Sequence, residues 1–342
     1  MNHYNFDKID LHLHLDGSFR PSTLFEIAES QNIPLPASTV EDYKALIKKQ
    51  ANAKSVNEYL KMFDAPLLCM QTKEALTRFT YELIEDLHNQ HVSYAEIRFA
   101  PQLHTQKDLT QKDAIEAVLE GQEKALNTFK DIHTGIIACM MCIGEDTLNA
   151  KENMETVLVS KDYIGKGLVA IDLAGCEGFV PLTNFKPLFD QANEYKIPFT
   201  CHAGDSQDYK TIKDAIEMGA KRIGHGHKLY YNPEYVRYVA KNHIPLEVCP
   251  TSNVQCQTVP SYGMHPVENL LRMGIDVTIN TDNMFLAGVT LEDEYDHCIN
   301  EMGFSYKDLI QMNLNSINHA FCSEDIKAPI RKRLLEALAN EN

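Results

Sequence analysis

Eight short apolar runs rich in β-branched residues recur along the chain, at 8–16, 93–101, 133–143, 167–175, 197–204, 221–229, 244–252 and 276–282. Between the later runs lie segments of roughly ten to twenty residues with helical spacing. A strand that alternates with a helix rejoins its sheet by a crossover, so the sheet is parallel. Eight such units predict an α/β chain closed into a (β/α)8 TIM barrel, a single domain over 1–342. Helix punctuation agrees, with Gly219 and Gly274 where helices end and Pro233 and Pro266 near where they start. The stretch 17–92 is too long for one crossover. It reads as helices near 21–30, 40–50, 56–70 and 73–89, a helical insertion between strands 1 and 2 that covers the barrel mouth.

The rival architecture is an open doubly wound sheet, which concentrates its chemistry at one switch point. Here the chemistry-capable residues crowd at the C-terminal ends of six different strands: His12, His14, Asp16, Glu96, Arg98, Gly175, His202, Asp205, His225 and Asp282. That distribution suits a ring, whose enzymes build their sites at this end.

Composition excludes partners. The 32 Lys+Arg against 48 Asp+Glu give a net charge of −16, which opposes binding to nucleic acid or to an anionic membrane. No apolar run reaches the roughly 18–20 residues of a membrane span. The N-terminus lacks a basic region followed by an apolar core, so no secretory signal is expected. Nine cysteines without a disulfide-like framework fit a reducing cytoplasm. The expected partner is a small molecule, and the oligomeric state is left open.

His12 and His14 stand at i and i+2 of a strand, so both imidazoles leave the same face. Alone, such a pair is as consistent with structural histidines as with half of a zinc site. His202, His225 and Asp282 at the same end of three further strands tip the balance toward a catalytic zinc shell of imidazoles, one carboxylate and an open position.

The motifs HLHLDGS, LAG, HAGD, GHGH, EVCPTSN and NTDN, in this order, with YLKMFD and EIRFAP, resemble the adenosine deaminase family of the metal-dependent hydrolase superfamily. The resemblance covers nearly the whole chain. It implies a (β/α)8 barrel with one zinc that hydrolyses adenosine, and 2′-deoxyadenosine, to inosine and ammonia in purine salvage. It makes His12, His14, His202 and Asp282 the zinc ligands and places His225 beside the attacking water. Asp16 would meet the ribose 5′-hydroxyl and the Gly175 N–H purine N3, with His14 also lining the substrate site. Asp16 disfavours a 5′-phosphate, and hence AMP, as substrate.

Two positions depart from the family pattern. Asp205 stands where the family has the Glu that protonates purine N1, and is shorter by about 1.5 Å. Either the loop after strand 5 brings it closer, or the enzyme is slow, or the substrate differs. Asn283 replaces a second Asp; its amide can donate to purine N7 at any pH. The alternatives are a deaminase of another aminopurine or modified nucleoside, and a zinc-holding nucleoside binder with weak or no turnover. A cytidine-deaminase site is excluded, since neither H-x-E nor P-C-x-x-C occurs.

Other residues are expected to be structural or supporting. Glu96 and Arg98 read as an ion pair at the barrel rim. Glu247 and Ser252 read as orienters of His225 and Asp282. His227 either lines the mouth or is structural. Leu60 and Phe63 read as an apolar lid, and EDEYDH (292–297) as a solvated helix face.

Overall fold

The computed structural model describes residues 4–52, 55–143 and 150–341. Its strands are β1 (Lys8–His14), β2 (Val92–Phe99), β3 (His133–Cys142), β4 (Leu168–Gly175), β5 (Thr200–Ala203), β6 (Arg222–His225), β7 (Leu246–Val248) and β8 (Val277–Ile279). They pair in parallel as two runs, β1-β2-β3-β4 and β5-β6-β7-β8. Single parallel bridges, Ile171 to Phe199 and Leu13 to Asp282, join the two runs into a TIM barrel. At the β1–β8 seam the His14 N–H donates to the Asp282 carbonyl at 2.7 Å, and the Asp282 N–H to the His12 carbonyl at 2.8 Å.

The strands end earlier than their apolar runs. Asp16, Asp205, Asp282 and Asn283 all lie beyond the last strand residue. The chain leaves the ladder there through left-handed residues: Gly204 (φ 68), His225 (φ 61), Gly226 (φ 69) and Asp282 (φ 59). For His225 and Asp282 that backbone is costly and persists only where surrounding contacts hold it, a pattern concentrated at functional sites.

Helices form where the punctuation placed them. Gly219 (φ 108) ends the helix Tyr209–Met218, and Pro233 opens Pro233–Lys241. The expected helix 56–70 is broken into Val56–Tyr59, the 3-10 turn Leu60–Phe63 and Asp64–Cys69. Among the described residues, no helix is long and apolar enough to cross a membrane. The helix Leu291–Glu301 corrects the expectation of a solvated acidic face: Glu294 is fully buried and accepts the Thr251 N–H at 3.1 Å, and Tyr295 is buried too.

The barrel interior is charged as well as apolar. Glu96 and Arg98 are fully buried and, contrary to expectation, are neither at the rim nor paired with each other. At i and i+2 of one strand they point inward side by side and meet residues of other strands. Arg98 donates to Asp172 (2.9 Å), to Glu247 (2.8 Å) and to the Leu11 carbonyl (2.6 Å). Glu96 accepts from Arg222, from the Tyr94 hydroxyl (2.9 Å) and from the Phe321 N–H (2.5 Å). Arg222 also bonds Glu247 at 2.6 Å and lies 3.9 Å from the Phe321 ring centroid. Buried charges survive only when paired and hydrogen-bonded in this way.

Candidate active site at the barrel mouth

Directly above this charged layer, four histidines converge. The His12 ring centroid is 4.5 Å from that of His202, 4.9 Å from His225 and 5.4 Å from His14. Asp282 Oδ1 lies 3.4 Å from His14 Nε2 and 3.7 Å from His12 Nε2. The structure thus brings together His12, His14, His202, His225 and Asp282. Their potential ligand atoms fall into two overlapping groups, His12–His14–His202 and His12–His225–Cys249–Asp282, each within 4.8 Å. Cys249 was not expected here. Its buried thiol is kept protonated by desolvation, with Asp282 adding to the effect, and Sγ points to the Glu247 carbonyl at 3.6 Å.

The charged layer orients two of the imidazoles. His12 Nδ1 lies 2.9 Å from Glu247 Oε2, and His202 Nδ1 lies 3.0 Å from Asp172 Oδ2. Burial alone would raise both carboxyl pKa values. Arg98 and Arg222 beside Glu247, and His202 and Arg98 beside Asp172, outweigh it and hold both ionised. Burial also holds His12 neutral and pushes His14 down to about 3. At His202 the adjacent Asp172 outweighs burial and raises the pKa, so this imidazole holds its proton more tightly and must release it to bind a cation. His12 Nε2 is buried, faces the cluster and has no hydrogen-bond partner, so the residues fit a metal ion. Glu247 therefore serves His12 rather than His225 or Asp282. Its i+1 neighbour on the strand points outward, and its own side chain turns into the barrel toward β1 and β2.

The residue that bonds His225 is Asn253, next to the expected Ser252. Its Nδ2 lies 3.1 Å from His225 Nδ1 and 2.8 Å from Asp205 Oδ1. The Thr258 hydroxyl donates to the same Asp205 oxygen at 2.8 Å. Burial raises the Asp205 pKa, but His225, His227 and this hydroxyl more than offset it, leaving the carboxyl below its ordinary value. His227 is fully buried, 3.7 Å from Asp205 Oδ1, and its imidazole is pushed down to about 4 by that burial.

Beside the histidines opens a cavity of about 220 Å³ with apolar walls from Leu60, Phe63, Leu67 and Met141. Buried polar atoms on its wall with no hydrogen-bond partner include Asp16 Oδ1, Tyr59 OH and Asn283 Oδ1. Burial raises the Asp16 pKa to about 7. Asn283 packs on Gly17, where a Cβ would meet its Oδ1 at 1.9 Å. Gly175 also lines the cavity, and its φ of 102° with a Cβ position 2.5 Å from the Cys142 carbonyl accounts for the glycine. Tyr59, the first residue of YLKMFD, was assigned no role in the sequence reading.

The adenosine deaminase family model matches residues 7–337. The chain is 40% identical to the adenosine deaminase of Haemophilus ducreyi over 94% of this chain and 93% of that protein. Among solved structures, the adenine deaminase of Arthrobacter aurescens superposes with a TM-score of 0.87 at 25% identity, covering 97% of this chain and 99% of that one. An amidohydrolase from Burkholderia ambifaria with bound zinc superposes with a TM-score of 0.85 at 22% identity, over 98% of this chain and 93% of that one. The last shows the fold alone.

Proposed function

This chain belongs to the adenosine deaminase family and deaminates adenosine, and we propose that it does so in the cavity beside the histidine cluster, with one zinc per chain. The ligands in this reading are His12, His14, His202 and Asp282, supported by the neutral imidazoles of His12 and His14 and by the carboxylates behind His12 and His202. Zinc bound there supplies hydroxide at neutral pH, by lowering the pKa of water from about 15.7 to about 7.

The chain's own groups do the rest. His225, whose Nδ1 accepts from the Asn253 amide, carries its proton on Nε2 and orients the attacking water. Asp205 takes up the proton that the attacking water gives up and delivers it to purine N1 as C6 becomes tetrahedral; the remaining water proton passes to the amino group, which leaves as ammonia. Its two donors both meet Oδ1, which leaves Oδ2 for the substrate. Asp16 receives the ribose 5′-hydroxyl; with a pKa near 7 it can donate or accept. The Gly175 N–H meets N3 and Asn283 meets N7. The segment 17–92 covers the mouth through Tyr59, Leu60, Phe63 and Leu67, and the chain is a single barrel domain. All nine cysteines are free thiols, which supports a cytoplasmic location, and the charge of −16 supports a substrate that is neither nucleic acid nor membrane-bound.

The observation that carries this reading is that Asp205 and His225 share one anchor, Asn253, at the edge of the histidine cluster. Zinc-loaded protein is expected to turn over adenosine and 2′-deoxyadenosine, read by ultraviolet change and ammonia release, and to leave adenine and AMP. Preference for adenine would overturn the role of Asp16. Absence of turnover with zinc bound would overturn the site.

A further inference from the structure

Glu177 lies two residues past the end of β4, on a different loop from Asp205, yet its half-buried carboxylate sits in the turn that carries Asp205. Four consecutive backbone N–H groups close on it: Gly204 to Oε1 at 2.7 Å, and Asp205, Ser206 and Gln207 to Oε2 at 3.0, 2.9 and 2.9 Å. The Thr211 hydroxyl donates to Oε1 as well, and the Ser206 hydroxyl donates to the Glu177 carbonyl at 3.1 Å. Successive N–H groups that point inward form a concave anion site, here filled by a side chain. The turn opens with Gly204 in the left-handed region, its Cβ position 2.4 Å from Ile212, so its shape admits no side chain at that point.

We propose that Glu177 is the positioning residue for Asp205, setting where the backbone of the shortened acid sits so that its carboxyl reaches purine N1. The inference rests on the reading of Asp205 as proton donor. The Asp205 side chain is tied to Asn253 and Thr258, but those bonds fix only the direction of Oδ1. The height of its Cα above the barrel is set by the Glu177 carboxylate, which holds the whole turn from residue 204 to 207. An acid one methylene short has no spare reach, so a turn that relaxes by an ångström separates it from the substrate.

The test uses zinc-loaded Glu177→Gln, which keeps the side-chain shape and sets an amide NH2 against the N–H donors. The expected result is a fall in kcat per zinc of about 10²-fold with KM changed by less than about threefold. In an Asp205→Asn background the same substitution is expected to cost nothing further, because both act through one group. Thr211→Val removes a single donor from the same carboxylate and is expected to lower kcat by about threefold to tenfold without changing KM. A Glu177→Gln enzyme with wild-type kcat per zinc, or an equal loss in the Asp205→Asn background, overturns the inference while leaving the deaminase reading intact. Failure of the zinc-loaded wild type to deaminate adenosine overturns that reading and this inference with it.

Discussion

The barrel holds two dense polar layers a few ångströms apart, and they differ in one respect. In the lower layer, Glu96, Arg98, Asp172, Arg222 and Glu247 are fully buried and tied to one another across four strands, with Arg98 Nε and Asp172 Oδ1 left unpartnered. In the upper layer, at the mouth, His12 Nε2, Asp16 Oδ1, Tyr59 OH and Asn283 Oδ1 are buried yet bond nothing. A network satisfied at most of its atoms contributes rigidity and orientation, whereas an unpartnered buried polar atom costs on the order of 1–3 kcal/mol until a ligand meets it. The lower layer is thus a base plate for the imidazoles, and the upper one is incomplete without substrate and metal.

The contrast is sharpest where each layer loses one carboxylate. Asp205→Asn is expected to lower kcat by about 10²- to 10⁴-fold, with little change in unfolding free energy by urea titration. A stability loss comparable to that of a lower-layer variant would erase the distinction. Glu247→Gln should do the reverse, destabilising the fold by about 3–5 kcal/mol because Arg98 and Arg222 are left under-compensated. It should also weaken zinc binding by about 10- to 100-fold, read by chelator competition, since His12 loses the group that orients it.

His104 breaks any simple equation of unpartnered with functional. It is fully buried outside the mouth, its Nδ1 bonds the Met70 carbonyl at 2.8 Å, and its Nε2 has no partner. Burial lowers its pKa from 6.5 to about 4. The unfolded chain therefore binds the proton more tightly than the folded one. Stability is expected to be intact above pH 6.5 and to fall as pH drops toward about 4, by on the order of 3 kcal/mol. Thermal melts across that window should show the slope, and His104→Gln should lessen it by that share, leaving the part that His14 and His227, also pushed down by burial, contribute. The smallest effect belongs to Asn283→Ala, expected to raise KM for adenosine by about tenfold with kcat little changed.

The ring of strands was legible because period-2 runs and their crossovers are local signals. Where each strand stops was not, since Asp205 and Asp282 leave the ladder by backbone turns that their apolar neighbours do not encode. The convergence of His12, His14, His202, His225 and Asp282 followed from placing each at the same end of its strand. Partnerships across the barrel were illegible: Glu247 belongs to His12 and Arg222 to Glu96 because of strand neighbourhood and inward tilt, not spacing. Asn253, on the short helix Pro250–Gln255, and Glu177, on the loop after β4, hold the mouth together where no periodicity points at a partner.

The seam between β1 and β8 has a consequence in time. His12 and His14 come from the start of the chain and Asp282 from near its end, and Leu11 is bonded to Asn280 across 269 residues of sequence. Contacts this distant in sequence form late, after the loop they close has been ordered. A growing chain therefore has no complete ligand set until its last strand is made and docked. On the proposed ligand set, metal capture would mark the end of assembly, with the ion a clasp on the joint where first and last strands meet.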